Sequence, residues 1–184
     1  MKYRILIPDL LTESGVEENV LGNKYEVLTP NKVDPKDIAN EIWSSVDAIL
    51  MWHEMSLSRV DIDKLEKCQC IVRIGVGFDN VDIKVAGENG IYVCNVPDYG
   101  TEDIANHAIG LFLSLARGIY EYSEKVRASN VNWNWQTIPL LRRVTGAVFG
   151  AIGFGRIGKA TALRAKALGM RVVFYDPYIE DGND

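Results

Sequence analysis

The sequence predicts an α/β fold in two parts: a small parallel sheet covered on both faces by helices, then the opening strand–helix–strand of a second sheet. Three observations predict it. Seven short β-rich runs alternate with helical segments along the 184 residues, the pattern of parallel strands joined by crossover helices. Five of these runs precede residue 97 and two follow residue 145, with a long helical stretch between the two groups. The last two runs flank the glycine turn GFGRIG at 153–158.

The first group comprises YRILI (3–7), YEVLT (25–29), DAILMW (47–52), CIVRIG (70–75) and IYVCNV (91–96). Each is a short apolar run rich in β-branched or aromatic residues. Between them, DPKDIANEIWSS (34–45) carries Pro near a first turn with acids ahead of an apolar face, and DIDKLEKC (61–68) carries a second helical signal. The stretch 100–127, GTEDIANHAIGLFLSLARGIYEYSEKVR, predicts one long helix over 101–127, with Thr101 as its cap and Glu102 and Asp103 in its first turn. Its apolar residues surround the axis between 104 and 116, so more than one face needs cover. That cover comes from the protein's own core or from a second subunit; the second case makes this the helix of a homodimer. The boundary between the parts falls near residue 100, giving domains 1–100 and 101–184.

Composition excludes several classes. The chain is 47% hydrophobic and 24% charged, enough for real cores. A formal charge of −5, with 20 Lys and Arg against 25 Asp and Glu and no basic run, argues against nucleic acid. The N-terminal MKYRILIPDL is too short in its apolar part for a signal peptide, and AIGLFLSLA at 108–116 falls well short of a membrane span. A cytoplasmic, soluble protein is the expectation. Cys68, Cys70 and Cys94 are odd in number and lack CxxC spacing, which predicts reduced, structural thiols. Asp79, Asn80 and Asp82 lack the remaining ligands of a calcium loop, so they predict loop capping and no metal site.

The glycine turn carries the chemistry. Gly153 suits a tight turn, Gly155 lets a pyrophosphate approach bare backbone, and Gly158 lets helix pack on strand. The amides of Arg156 and Ile157 then face the phosphates at the positive end of the helix. Asp176 closes the following strand about 20 residues on, where a carboxylate accepts both ribose hydroxyls and repels a 2′-phosphate, so NAD is favoured over NADP. The competing reading is a glycine-rich packing turn without a ligand.

With these residues in view, the sequence resembles the NAD-dependent D-isomer-specific 2-hydroxyacid dehydrogenases, most of all their C-terminal-binding-protein (CtBP)-like branch. IVRIGVGFDNVDIKVAGENGIYVCNVP (71–97), GFGRIGKATALRAKALGM (153–170) and FYDPYIEDG (174–182) carry the resemblance. It implies a flavodoxin-like substrate domain, a crossover helix that builds a two-fold dimer, and the first βαβ unit of a Rossmann NAD-binding domain. It implies hydride transfer between the nicotinamide and a 2-oxo or D-2-hydroxy acid. It places Val76 and Gly77 on the substrate carboxylate, with Arg73 reaching the substrate unless it pairs with Asp79 or Asp82. Trp52 and His53 stand where the family varies its substrate contacts, and Ile104 joins the cofactor-binding set. His107 is expected as a buried, hydrogen-bonded histidine. The family's catalytic Arg, Glu and His are expected downstream of residue 184, leaving none in this stretch. A second class stays open, an NAD(H)-regulated interaction module of the corepressor type without turnover.

Overall fold

The computed structural model describes residues 2–10, 15–128 and 141–179; the end of the FYDPYIEDG stretch lies outside them. The chain divides into two compact units, Met1–Tyr99 and Gly100–Asp184.

The first unit is a five-stranded parallel sheet in the order β2-β1-β3-β4-β5. The strands are β1 (Tyr3–Leu6), β2 (Tyr25–Leu28), β3 (Ala48–Met51), β4 (Cys70–Arg73) and β5 (Tyr92–Asn95). The central strands read apolar throughout because both faces are covered: Leu6, Ile49, Met51 and Ile71 are fully buried with Trp43 and Val46 from the flanking segment. The helices α1 (Gly15–Leu21), α2 (Asn40–Ser45), α3 (Arg59–Ile62) and α4 (Ile83–Glu88) make the crossovers. Asp82 caps α4 by accepting the Val85 amide at 3.1 Å, the capping role its cluster suggested. Burial pushes the Cys68 thiol up to about 12, and the three cysteines are free thiols.

The second unit holds α5 (Thr101–Ala116), α6 (Ile119–Ala128), β6 (Val148–Ile152), α7 (Arg156–Ala167) and β7 (Arg171–Tyr175), with β6 and β7 parallel and Val148 opposite Arg171. Ala160, Ala162 and Ala165 form the buried face of α7. Small side chains there let the helix lie close on its neighbours. Arg164 ties α7 to α5, its Nε donating to Asn106 Oδ1 at 2.6 Å and its Nη2 to Glu102, while Phe112 meets Phe149 edge-on at 5.9 Å.

Four local expectations need correction. The helix of 101–127 is two helices: Gly118 at φ +60° turns the chain after Arg117, and α6 starts afresh at Ile119. Thr101 is not its cap; it is the first helical residue, behind Gly100, and no side chain caps the end. The 34–45 segment also splits, because Asp34 accepts the Lys36 amide and closes a 3₁₀ turn at Pro35–Asp37, leaving α2 to begin at Asn40. The segment 61–68 does not form a helix of its own. Only its first two residues are helical, in the single turn α3, where Ser58 N and Oγ donate to Asp61 at 3.0 and 2.6 Å.

Candidate functional site

The sheet of the first unit reverses its winding between β1 and β3, and in open parallel sheets the loops at the strands' carboxyl ends beside such a switch form the binding crevice. Asp9 follows β1, Trp52–Met55 follow β3, and the turn Arg73–Gly77 begins at the last residue of β4. The candidate residues Trp52, His53, Arg73, Val76 and Gly77 therefore share one edge.

Arg73 is half-buried, and its Nη1 donates to the carbonyl of Ile74 at 2.7 Å. Among the described residues no ion pair joins it to Asp79 or Asp82, and its Nε is buried without a partner. The turn beyond it is fixed from β5: Asn95 Nδ2 donates to Val76 O at 2.8 Å, and Val96 N to Gly75 O at 3.0 Å. The carbonyls of Gly75 and Val76 are thus engaged, while the amides of Val76 and Gly77 donate to no described group. Two backbone amides without a described partner, close in sequence to a guanidinium, are donors of the kind a carboxylate accepts.

Trp52 is half-buried, with its indole N–H buried and unpartnered. His53 is 71% exposed and its Nε2 lies 3.6 Å from Glu54 Oε1. His107 is also exposed, on α5, which corrects the expectation of a buried histidine: it points outward on a helix whose covered position is Ala105.

The second unit holds the glycine turn. Gly153 has φ +89°, and a Cβ on Gly158 would stand 2.2 Å from Gly153 O, so the start of α7 sits directly on the end of β6. A Cβ on Gly155 would meet nothing within 4 Å. That open space over bare backbone fits a pyrophosphate. Arg156 and Ile157 are the first two residues of α7, whose amides have no carbonyl a turn earlier to bond.

Asp176 lies across this turn. Its Oδ2 accepts the Phe154 amide at 2.7 Å and its Oδ1 the Tyr178 amide at 2.9 Å. These two bonds, Phe154 first, with the Lys159 charge adding to them, hold its carboxyl below the usual aspartate range. Phe154 stacks on Phe174 at 4.0 Å and 9°, and Lys159 Nζ sits 5.9 Å over the Phe154 ring. Ile104 is on the first turns of α5 and partly exposed, beside Gly100.

Asp9 escaped the sequence reading. It is fully buried and accepts the amides of Trp52 at 2.8 Å and Met55 at 2.9 Å. The one available signal was an acid placed directly after an apolar strand, in ILIPD.

Residues 6–173 match the sequence family described as D-isomer specific 2-hydroxyacid dehydrogenase, catalytic domain. The chain belongs to that family. It is 33% identical over 176 residues to C-terminal-binding protein 1 of Caenorhabditis elegans, covering 94% of this chain and 24% of that protein. It is 33% identical over 176 residues to D-3-phosphoglycerate dehydrogenase of Methanocaldococcus jannaschii, covering 96% and 32%. Among solved structures, the NADPH-dependent glyoxylate/hydroxypyruvate reductase of Sinorhizobium meliloti matches with a TM-score of 0.82 at 27% identity, covering 99% of this chain and 56% of that one. D-lactate dehydrogenase of Aquifex aeolicus, complexed with NAD and lactic acid, shares the fold with a TM-score of 0.82 at 23% identity, over 96% of this chain and 52% of that one. The chain thus spans 24% and 32% of the two relatives' lengths and just over half of the two structures.

Proposed function

We propose that this chain carries the substrate-anion crevice and the adenosine half of the cofactor site of an NAD-dependent oxidoreductase that interconverts 2-oxo and D-2-hydroxy acids. Arg73 and the amides of Val76 and Gly77 hold the substrate carboxylate, with Trp52 and His53 bordering its side chain. The amides of Arg156 and Ile157 and the N-terminus of α7 hold the pyrophosphate, and Asp176 takes the ribose hydroxyls. NAD(H), when bound, supplies or accepts the hydride. The observation that carries this reading is Asp176 bonded to the Phe154 amide inside the glycine turn, which sets a carboxylate in place before any cofactor arrives. The test of the whole reading is NADH oxidation by the full-length protein across a panel of 2-oxo acids. Absence of turnover with all of them, with NADH still bound, would favour the second reading, a nucleotide-regulated interaction protein, which the 33% identity to C-terminal-binding protein 1 supports.

Asp176→Ala should weaken NAD binding about tenfold or more, the scale for losing hydrogen bonds to a charged group, and narrow the preference over NADP. The sign of its pH dependence is fixed by the lowered pKa. The ionised form contributes fully above the ordinary aspartate range and is lost only as pH falls through the depressed folded value, so affinity attributable to Asp176 stays level from about pH 8 to 5. Calorimetric titration of both cofactors at several pH values reads this, and equal affinities in the variant and the parent would remove Asp176 from the cofactor site.

The homodimer belongs to the same proposal. Leu111 and Leu115 are 56% and 81% exposed on α5, and Ile119 is 56% exposed on α6, an apolar surface that soluble chains cover. Leu115→Glu should convert a dimer into a monomer or an aggregate in light scattering. A monomeric parent chain would refute this part.

A further inference from the structure

The loop Trp52–Met55 is held on both sides. Asp9 accepts its two terminal amides, those of Trp52 and Met55, at 2.8 and 2.9 Å. Asn80 Nδ2 donates to the carbonyls of the same two residues, at 3.1 and 2.8 Å. Asp9 comes from the end of β1, the loop from the end of β3, and Asn80 from the connection after β4, three strands that are neighbours in that order. Asn80 is in turn anchored through its own carbonyl, which accepts the Leu57 amide at 2.8 Å, while Leu57 O accepts the Asp82 amide at 3.1 Å.

Core packing alone does not call for this arrangement. A carboxylate with no exposure carries a desolvation cost that two backbone amides must offset, whereas an apolar residue after β1 would carry none. Moreover, the two buried side-chain donors left without partners among the described residues are Trp52 Nε1 and Arg73 Nε. Both follow or end adjacent strands, with Met51 opposite Arg73 in the register. Unsatisfied groups and a buried carboxyl gathered at one sheet edge mark a place where stability is given up to hold a geometry.

We infer that Asp9 and Asn80 are positioning residues that fix the Trp52–Met55 loop relative to the Arg73–Gly77 turn, and so set the span over which a 2-oxo acid's carboxylate and its side chain are held together. The inference rests on the anion-site reading of that turn. Asp9 and Asn80 touch the loop backbone and act through it. The clamp therefore matters to a ligand in proportion to how far it reaches from its carboxylate: an acid without a side chain needs only the turn, while an acid with one needs turn and loop at the correct separation.

The test is an NMR titration of the ¹⁵N-labelled chain with two probes: oxalate, which has no side chain, and 2-oxopentanoate, which has one. The readouts are the Val76 and Gly77 amides. Asn80→Ala should weaken 2-oxopentanoate about tenfold and leave oxalate within about twofold. Asn89→Ala is the control, since Asn89 Nδ2 bonds Asp63 Oδ1 and Val85 O at 3.2 and 3.0 Å away from the loop; it should leave both affinities in place. Hydrogen exchange at Trp52 and Met55 should rise in Asn80→Ala and not in Asn89→Ala. Equal weakening of both probes by Asn80→Ala would mean a general structural role and overturn the inference, as would no weakening of either. Should neither probe move Val76 or Gly77 in the parent chain, the anion-site reading itself falls and this inference falls with it.

Discussion

Gly158→Ala is expected to destabilise the second unit by about 1–3 kcal/mol and to abolish NAD binding, while Gly155→Ala keeps the fold and loses only the binding. The two glycines fail for different reasons. At Gly158 the added Cβ would stand 2.2 Å from Gly153 O and 3.1 Å from Gly153 C. Both are backbone atoms of a turn already at φ +89°, so they cannot yield as a flexible side chain would, and α7 must lift from β6. Lifting α7 displaces the amides of Arg156 and Ile157 together. At Gly155 the added Cβ meets no protein atom within 4 Å, and the backbone is extended at φ −71°, ψ −161°, a conformation alanine adopts freely. A Cβ there occupies only the space assigned to the pyrophosphate. Thermal denaturation with calorimetric titration of NAD separates the cases. A Gly155→Ala variant that kept full affinity would mean the phosphates do not pass over Gly155, and the glycine turn would be a packing device.

The close packing at Gly158 was legible in the sequence because spacing encodes it: a strand, a turn and a helix in a fixed order bring that glycine against the strand's end. The central strands were legible because a strand covered on both faces must be apolar at nearly every position, as AILM in β3 is, whereas β6 and β7, which alternate exposed and part-buried positions, were legible as β-rich runs flanking the glycine turn. Helix extents were less legible. A lone glycine inside a helical pattern is compatible with continuation, and nothing in LARGIY announces that Gly118 takes φ +60° and ends α5. Pro35 and Asp34 gave a true start signal, yet the turn they open is 3₁₀ and closes at Asp37. The Asp9 contacts were out of reach altogether. They join residues 43 and 46 positions apart through backbone amides, which leave no periodicity and no residue-type preference on the far side. In the sequence Asn80 stands out only for its acidic neighbours, whereas in the structure its side-chain amide donates to two carbonyls of the loop after β3.

The 184-residue chain by itself is expected to show no measurable 2-oxo acid reduction with NADH. Reduction of a carbonyl needs a proton delivered to the oxygen as hydride reaches carbon, and a positioned acid contributes about 10²- to 10⁴-fold. The sequence holds two histidines. His107 is exposed on α5, with Asn106 beside it already accepting from Arg164 Nε. His53 has a carboxylate within 3.6 Å, but at 71% exposure water competes for every hydrogen bond it makes. Arg73 spends one guanidinium donor on Ile74 O, and a guanidinium is a hydrogen-bond donor without acceptor capacity, suited to seating an anion. On the proposed reading Arg73 and the amides of Val76 and Gly77 bind and orient the substrate carboxylate, while neither histidine among the described residues is placed as a proton donor. Stopped-flow or steady-state assays following NADH absorbance, with glyoxylate, pyruvate and hydroxypyruvate as substrates, measure this directly. Turnover at an ordinary enzyme rate would contradict the assignment. In that event His53→Ala decides what replaces it: activity lost in that variant would make the His53–Glu54 pair the acid, carried on the loop that Asp9 and Asn80 hold.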